Sequence, residues 1–316
     1  MFGIGVVIMI LSASRRTDIP CYYSDWFINR LKAGYVLTRN PMNHAQISKI
    51  PLSPDVVDCI VFWTKDAKNI MNKLKTLDSM NYNYYFQFTL TPYCNDIEKN
   101  LRTKADIENT FITLSKTIGK ERVLWRYDPI ILNDSLTINY HKEQFIRLCE
   151  KLHNYTENVT ISFVDMYRKL KTKDIRLSNT AQIAELSANI GQTAQSYGLI
   201  AKACCEIMDL SVFGIEKASC IDKSIIENIC GVKLDSKSDK NQREGCGCIE
   251  SIDIGAYNSC MNGCVYCYAN HSALSVENNI KTHNPNGELL IGIVADSEKI
   301  IDRKVKSHKQ EQMKML

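Results

Sequence analysis

No stretch of this 316-residue sequence is long and apolar enough to cross a bilayer as a helix, which needs about 20 consecutive apolar residues. The most apolar run, residues 1–11, is too short, and no basic residue precedes it as a secretory leader requires; Arg15 and Arg16 follow it instead. That run reads as a buried first strand, with Met9 an alternative start, and the expected location is cytoplasmic with no membrane partner. Long tracts of Pro, Gly, Ser or Gln are also missing, so composition gives no reason for extended disorder. With 45% hydrophobic residues the chain can bury a large core. The net charge of +4 forms no basic stripe, which argues against a dedicated nucleic-acid binder and leaves an anionic small molecule open. The lysine-rich tail, residues 299–314, is the local exception and reads as a solvated terminal helix.

What the chain has in excess is cysteine. Thirteen cysteines without an export signal point to metal ligation or catalysis before disulfides. Cys21, Cys59, Cys94 and Cys149 are scattered through the first half and read as ordinary buried thiols. The other nine fall between Cys204 and Cys267.

Short runs rich in β-branched and aromatic residues alternate with segments of helical periodicity. Strands are expected at 7–13, 35–38, 59–63, 84–90, 123–126, 159–163, 199–203 and 251–256, and helices at 26–32, 67–77, 107–118, 141–153 and 181–197. This alternation predicts an α/β fold, a (β/α)8 TIM-like barrel, closed or partly open, with a cysteine-rich insertion near the C-terminus. A doubly wound sheet is the alternative. Residues 1–203 supply the βα repeats, 204–250 the insertion, 251–280 the last barrel strand with a cysteine loop and helix, and 281–316 a C-terminal extension, where 289–294 is strand-like.

Catalytic groups of such barrels gather at the C-terminal ends of the strands. The strand endings here are rich in polar residues, among them Ser14, Arg15, Asp18, Arg39, Lys65, Arg126, Asp128, Asp165 and Tyr167. Taken singly, such residues also serve as helix caps, turns and surface ion pairs in any βα protein.

Cys260-Met261-Asn262-Gly263-Cys264-Val265-Tyr266-Cys267 places three thiols within one short loop. Thiolates are the soft ligands of iron–sulfur clusters, and three of them leave one iron open to another ligand. Gly263 allows a tight turn. His271, four residues after Cys267, offers a competing closed Cys3His zinc site, and unmetallated buried thiols are a third reading.

The three cysteines, with Tyr266 before the last, resemble the signature of the radical S-adenosylmethionine (SAM) superfamily. That resemblance implies a 4Fe-4S cluster on Cys260, Cys264 and Cys267, SAM as cosubstrate, reductive cleavage of SAM, and a flavodoxin- or ferredoxin-type reductant. It implies cofactor-binding roles for Tyr266, Ser14, Arg15 and Asp18. Two departures stand out: the motif lies near the end of the chain, and the superfamily's Gly-Gly-Glu segment is absent. A circular permutation would reconcile the order. Residues 12–20, 125–129 and 241–244 also resemble an uncharacterised bacterial and archaeal family that ends in such a cysteine motif.

Cys205, Cys220, Cys246 and Cys248 form a second candidate set, for a further iron–sulfur cluster or zinc, with Cys204 and Cys230 as substitutes. The expected function is an enzyme that starts hydrogen abstraction from an unknown small-molecule substrate, with Lys65, Arg126 and Asp128 as candidate catalytic groups and Arg39 a further contact. A non-SAM iron–sulfur electron-transfer or sensing protein, and a zinc-stabilised binding protein, are the alternatives.

Overall fold

A computed structural model describes residues 9–164, 177–243 and 245–305. Eight parallel strands form the main sheet: β1 (Ile10–Ala13), β4 (Cys59–Thr64), β5 (Tyr84–Thr89), β6 (Val123–Ile130), β7 (Asn158–Phe163), β8 (Ile200–Ala203), β9 (Glu216–Lys217) and β10 (Ile252–Asp253). Their spatial order is β10-β1-β4-β5-β6-β7-β8-β9. Among the described residues no ladder joins β9 to β10, so of the barrel expected as closed or partly open, closure is not found. In a second sheet β3 (Gln46–Pro51) lies between β2 (Tyr35–Arg39) and β11 (Lys299–Asp302).

The count of eight therefore holds with a different membership. The run at 35–38 leaves the main sheet to pair antiparallel with β3, and Glu216–Lys217 of the cysteine-rich segment takes the far edge. Alternation within five residues cannot say which neighbour a strand will find, because pairing is decided by distant segments. The tail also departs from expectation: Lys299–Asp302 is a strand paired parallel with β3, not a helix, and residues 306–316 lie outside the described residues. Residues 289–294 form no strand; Leu289 and Leu290 are buried. The helix expected over 67–77 is two short ones, Lys68–Met71 and Leu74–Ser79, and β10 is shorter than the run at 251–256.

The central strands bury both faces, as the continuous apolar runs of a covered parallel sheet should. On one face Leu11, Ile60, Phe62, Phe86, Phe88 and Trp125 pack with the amphipathic helices, such as Ile138–Leu152. Those helices start where polar residues cap them: Thr103, Thr137 and Asn179 each accept a backbone N–H. The opposite face, Ile10, Val61, Tyr85 and Leu124, packs against Cys220, Ile221, Ile226, Leu234, Cys248 and Ile249. The cysteine-rich segment is thus the cover of the sheet's second face. Tyr85 and Gln87 fasten it by donating to the Cys220 carbonyl at 2.9 and 2.7 Å. Among the described residues no helix is long and apolar enough to cross a membrane.

Candidate functional site

The edge strand β10 leads into the loop that carries the first three cysteines. Its Asp253 carboxylate accepts from Ser12 Oγ (2.9 Å), Ser14 Oγ (2.6 Å), Arg15 N (2.8 Å) and Gly255 N (3.0 Å), which locks β10 to the end of β1. Gly255 has no room for a Cβ, which would sit 2.0 Å from Ser14 Oγ. The loop then turns through Asn258 (φ 54°) and Gly263 (φ 67°), both in the left-handed region.

The loop is held by the segment after β5. Val265 N donates to Ile97 O (3.0 Å), Asn100 N to Asn262 O (3.1 Å), and Asn100 Nδ2 to Met261 O (2.7 Å). Between these lies Glu98, buried and bridged to Cys264 through the backbone. Its carboxylate accepts from Lys65 (2.7 Å), Thr91 (2.9 Å), Lys104 and Tyr266. Burial alone would raise its pKa, but Lys65 and Lys104 outweigh that and hold it at about 2. Lys65 is thus an ion-pair partner that positions the loop, and Tyr266 binds Glu98 with its hydroxyl.

Asp18 is equally occupied. Its carboxylate accepts from Cys21 N (3.1 Å), Thr64 Oγ1 (2.7 Å), Lys65 N (2.8 Å) and Asn262 Nδ2 (3.1 Å). Burial pushes its pKa up to about 6 against those hydrogen bonds. Arg15 differs: its guanidinium lies over the Trp63 ring at 5.1 Å, and Nη2 is buried with no hydrogen-bond partner among the described residues. Thr17 Oγ1 is likewise buried and unpartnered.

The second cysteine set comes together from three segments. Cys204 and Cys205 follow β8, Cys220 follows β9, and Cys246 and Cys248 flank Gly247, whose absent Cβ would fall 2.3 Å from Ser219 Oγ. Cys204 Sγ lies 3.4 Å from Cys220 Sγ and 4.0 Å from Cys205 Sγ. Further thiol contacts run from Cys220 to Cys248, from Cys248 to Cys246 and from Cys246 to Cys205. Cys220 is held well below the usual thiol range by hydrogen bonds from Cys204 and Cys248 and by Arg126, whose Nη1 is 2.9 Å from its sulfur. Arg126 also pairs with Asp128, whose other oxygen accepts from Ser162. Cys230 lies elsewhere: its thiol donates to Asp58 O at 3.3 Å.

Both cysteine sets face one cavity of about 490 Å³. Its walls bring together Ser14, Arg15, Asp18, Lys65, Arg126, Asp128, Cys205, Cys220, Cys246, Cys248, Cys260, Cys264, Tyr266 and Cys267. Arg39 is not among them; it pairs with Glu298 beside the small sheet, since its strand left the main one. His271 is exposed and does not line the cavity, so no Cys3His set converges there. Asp165 and Tyr167 lie outside the described residues. Among the described residues no three His, Cys, Asp or Glu side chains are disposed to grip a single metal ion. Glu98, Asp253, Asn262 and Trp63 are the site residues that sequence reasoning missed. Glu98 lies between the charged residues Asp96 and Lys99, a setting that ordinarily faces solvent, and nothing local marks its carboxylate as buried.

A family model described as "Domain of unknown function (DUF1848)" matches residues 10–269, from the start of β1 to just past the third cysteine of the loop. No curated protein matches the chain.

Proposed function

The chain belongs to the DUF1848 family, and from the shared cavity we propose that it is a radical SAM enzyme with a circularly permuted, partly open (β/α) barrel. One observation carries the reading: the three-cysteine loop leaves the C-terminal end of a parallel strand and faces a cavity whose volume lies within the roughly 300–1,000 Å³ of small-molecule sites. β10 precedes that loop and, although last of the sheet's strands in sequence, is the first in space, beside β1. A chain break moved from one barrel edge to another would give this order.

The donor set fits the group. Cys260, Cys264 and Cys267 are soft ligands on one loop, a set that leaves one iron of a 4Fe-4S cluster for SAM. Burial pushes Cys260 up and Cys264 up to about 12, so a bare loop keeps protonated thiols that give up their protons on binding iron. Among the described residues Arg15 Nη2 and Thr17 Oγ1 are buried cavity-wall donors without a partner, and they suit the carboxylate and ribose of SAM. Ser14 and Asp18 are engaged with the protein and shape the wall behind them. When bound, the cluster supplies the electron for reductive cleavage of SAM and so for hydrogen abstraction from substrate. Lys65, with Glu98 and Tyr266, holds the loop, while Arg126 and Asp128 face the space left for substrate.

Anaerobically reconstituted, dithionite-reduced protein is expected to release 5′-deoxyadenosine from SAM, and Cys264→Ala to release none. Zinc held on these sulfurs in oxygen-free preparations, with no iron, would end the proposal.

A further inference from the structure

Two thiols at the cavity wall are close enough to bond to each other. Cys204 directly follows β8 and Cys220 comes three residues after β9; the two strands pair in parallel, and Ala218 N donates to Ala203 O at 2.8 Å. Their C-terminal ends therefore present both side chains together, with Cys204 Sγ 3.4 Å from Cys220 Sγ. A disulfide is about 2.0 Å long, so the sulfurs need to close by only ~1.4 Å, which side-chain rotation supplies. The backbones on either side are anchored: Cys204 N donates to Ile161 O at 3.0 Å, and the Cys220 carbonyl accepts from Tyr85 and Gln87.

Arg126 makes the pair unequal. Its Nη1 donates to Cys220 Sγ at 2.9 Å, while Nε and Nη2 bind Asp128 and the guanidinium lies over the Trp63 ring at 5.5 Å. A sulfur that accepts from a guanidinium is favoured as the thiolate, the nucleophilic form, which leaves the Cys204 thiol to donate across the 3.4 Å contact. Cys204, Cys220 and Arg126 all line the cavity of about 490 Å³, yet Cys220 is only 5% exposed, so its reaction partner must be small. Cys205, immediately after Cys204, is a non-glycine residue at φ 54°, in the left-handed region where such residues sit by constraint and which collects at functional sites. Cys149, by contrast, is buried among the apolar side chains of the core.

We propose that Cys220 and Cys204 are a redox-active dithiol that reduces a small hydroperoxide admitted to the cavity. The Cys220 thiolate attacks the terminal peroxide oxygen: an S–O bond forms, the O–O bond breaks, and the leaving oxygen departs beside Arg126 and takes a proton from solvent. The Cys204 sulfur then attacks the resulting sulfenic acid: the S–S bond forms, the S–O bond breaks, and the Cys204 proton leaves with the hydroxyl as water. Two electrons pass from the sulfurs to the peroxide, and an external dithiol restores them by thiol–disulfide exchange. The site stands without the SAM reading, because neither thiol belongs to the first loop.

The test uses full-length protein, freed of metal by chelation, reduced, and treated anaerobically with equimolar hydrogen peroxide, with circular dichroism as the check on folding. Cysteine pairs are mapped in alkylated, unreduced tryptic digests, where cleavage after Lys217 separates Cys204 from Cys220. The two peptides are expected to be linked, and dithiothreitol to release them. Cys205→Ser is expected to keep the link; Cys204→Ser is expected to lose it and to leave Cys220 as a sulfenic acid that dimedone traps. Cys220→Ser is expected to slow peroxide consumption at least about tenfold, since an unassisted thiol is only a few per cent thiolate at pH 7. The map of the unsubstituted chain decides the case even where a variant does not fold. No link between these peptides in the folded protein, or a link formed only in urea, would overturn the dithiol, as would a link from Cys220 that survives Cys204→Ser.

Discussion

His141 shows how much one buried side chain can decide. It is fully buried on the helical face, with Nε2 2.8 Å from Ile131 O and Nδ1 2.8 Å from the Tyr127 hydroxyl. A carbonyl only accepts, so Nε2 carries the proton and Tyr127 donates to Nδ1. Burial lowers its pKa to about 4. The unfolded chain, with an ordinary value near 6.5, takes up a proton that the folded chain refuses between those two values. Stability is therefore full above about 6.5 and falls as pH drops toward 4, by about 3 kcal/mol at most. Urea unfolding at pH 7 and pH 4 should show this fall, and His141→Gln should lack it; equal pH dependence in both proteins would contradict the assignment. The same arithmetic of partners separates neighbours at the site. Asp18 and Ser14 are saturated by the protein, whereas Arg15 Nη2 and Thr17 Oγ1 are buried with no partner among the described residues.

At the scale of elements, the cysteine loop is a strand extension fastened on both sides. β10 contributes only two paired residues, so its position rests on the three donors that Ser12, Ser14 and Arg15 give to Asp253 and on the loop's contacts with the segment 97–100. Gly263 is where these meet, at φ 67° and with Asn100 Nδ2 only 2.9 Å from where a Cβ would be. Gly263→Ala adds left-handed strain of about 1 kcal/mol and pushes Asn100 away. A modest loss of stability with a clear loss of iron from the first site is expected, measured by urea unfolding and iron content on the same samples. Full iron retention would show that the loop does not need that turn. The strands expected at 59–63, 84–90 and 123–126 are buried on both faces, where a continuous apolar run has one meaning, and those expected at 159–163 and 199–203 form beside them. The run at 35–38 was legible as a strand and illegible as to its sheet.

Across the whole molecule, Glu98 joins pieces that are remote in sequence: Lys65 at the end of β4, Lys104 at the start of a helix, and Tyr266 of the cysteine loop. Glu98→Ala would leave two ammonium groups facing each other without a counter-charge. Breaking a buried pair from one side costs about 3–5 kcal/mol, and the lower end fits here because Lys104 keeps some contact with water. The expected result is a loss of about 3 kcal/mol in urea unfolding together with weaker iron retention; unchanged stability would mean that the lysines find other partners.

By itself the sequence determined the α/β alternation, the central strands, the main helices and the three-cysteine loop, because hydrophobic period, capping residues and cysteine spacing are local. Tertiary structure alone decided the rest: which strands share the sheet, that the cysteine-rich segment covers its second face, that Cys204 lies against Cys205 and Cys220 while Cys230 does not, and that both cysteine sets meet at one cavity. Those outcomes depend on contacts between residues far apart along the chain, such as Ser12 with Asp253 or Arg126 with Cys220, and no local pattern encodes a partner that distant.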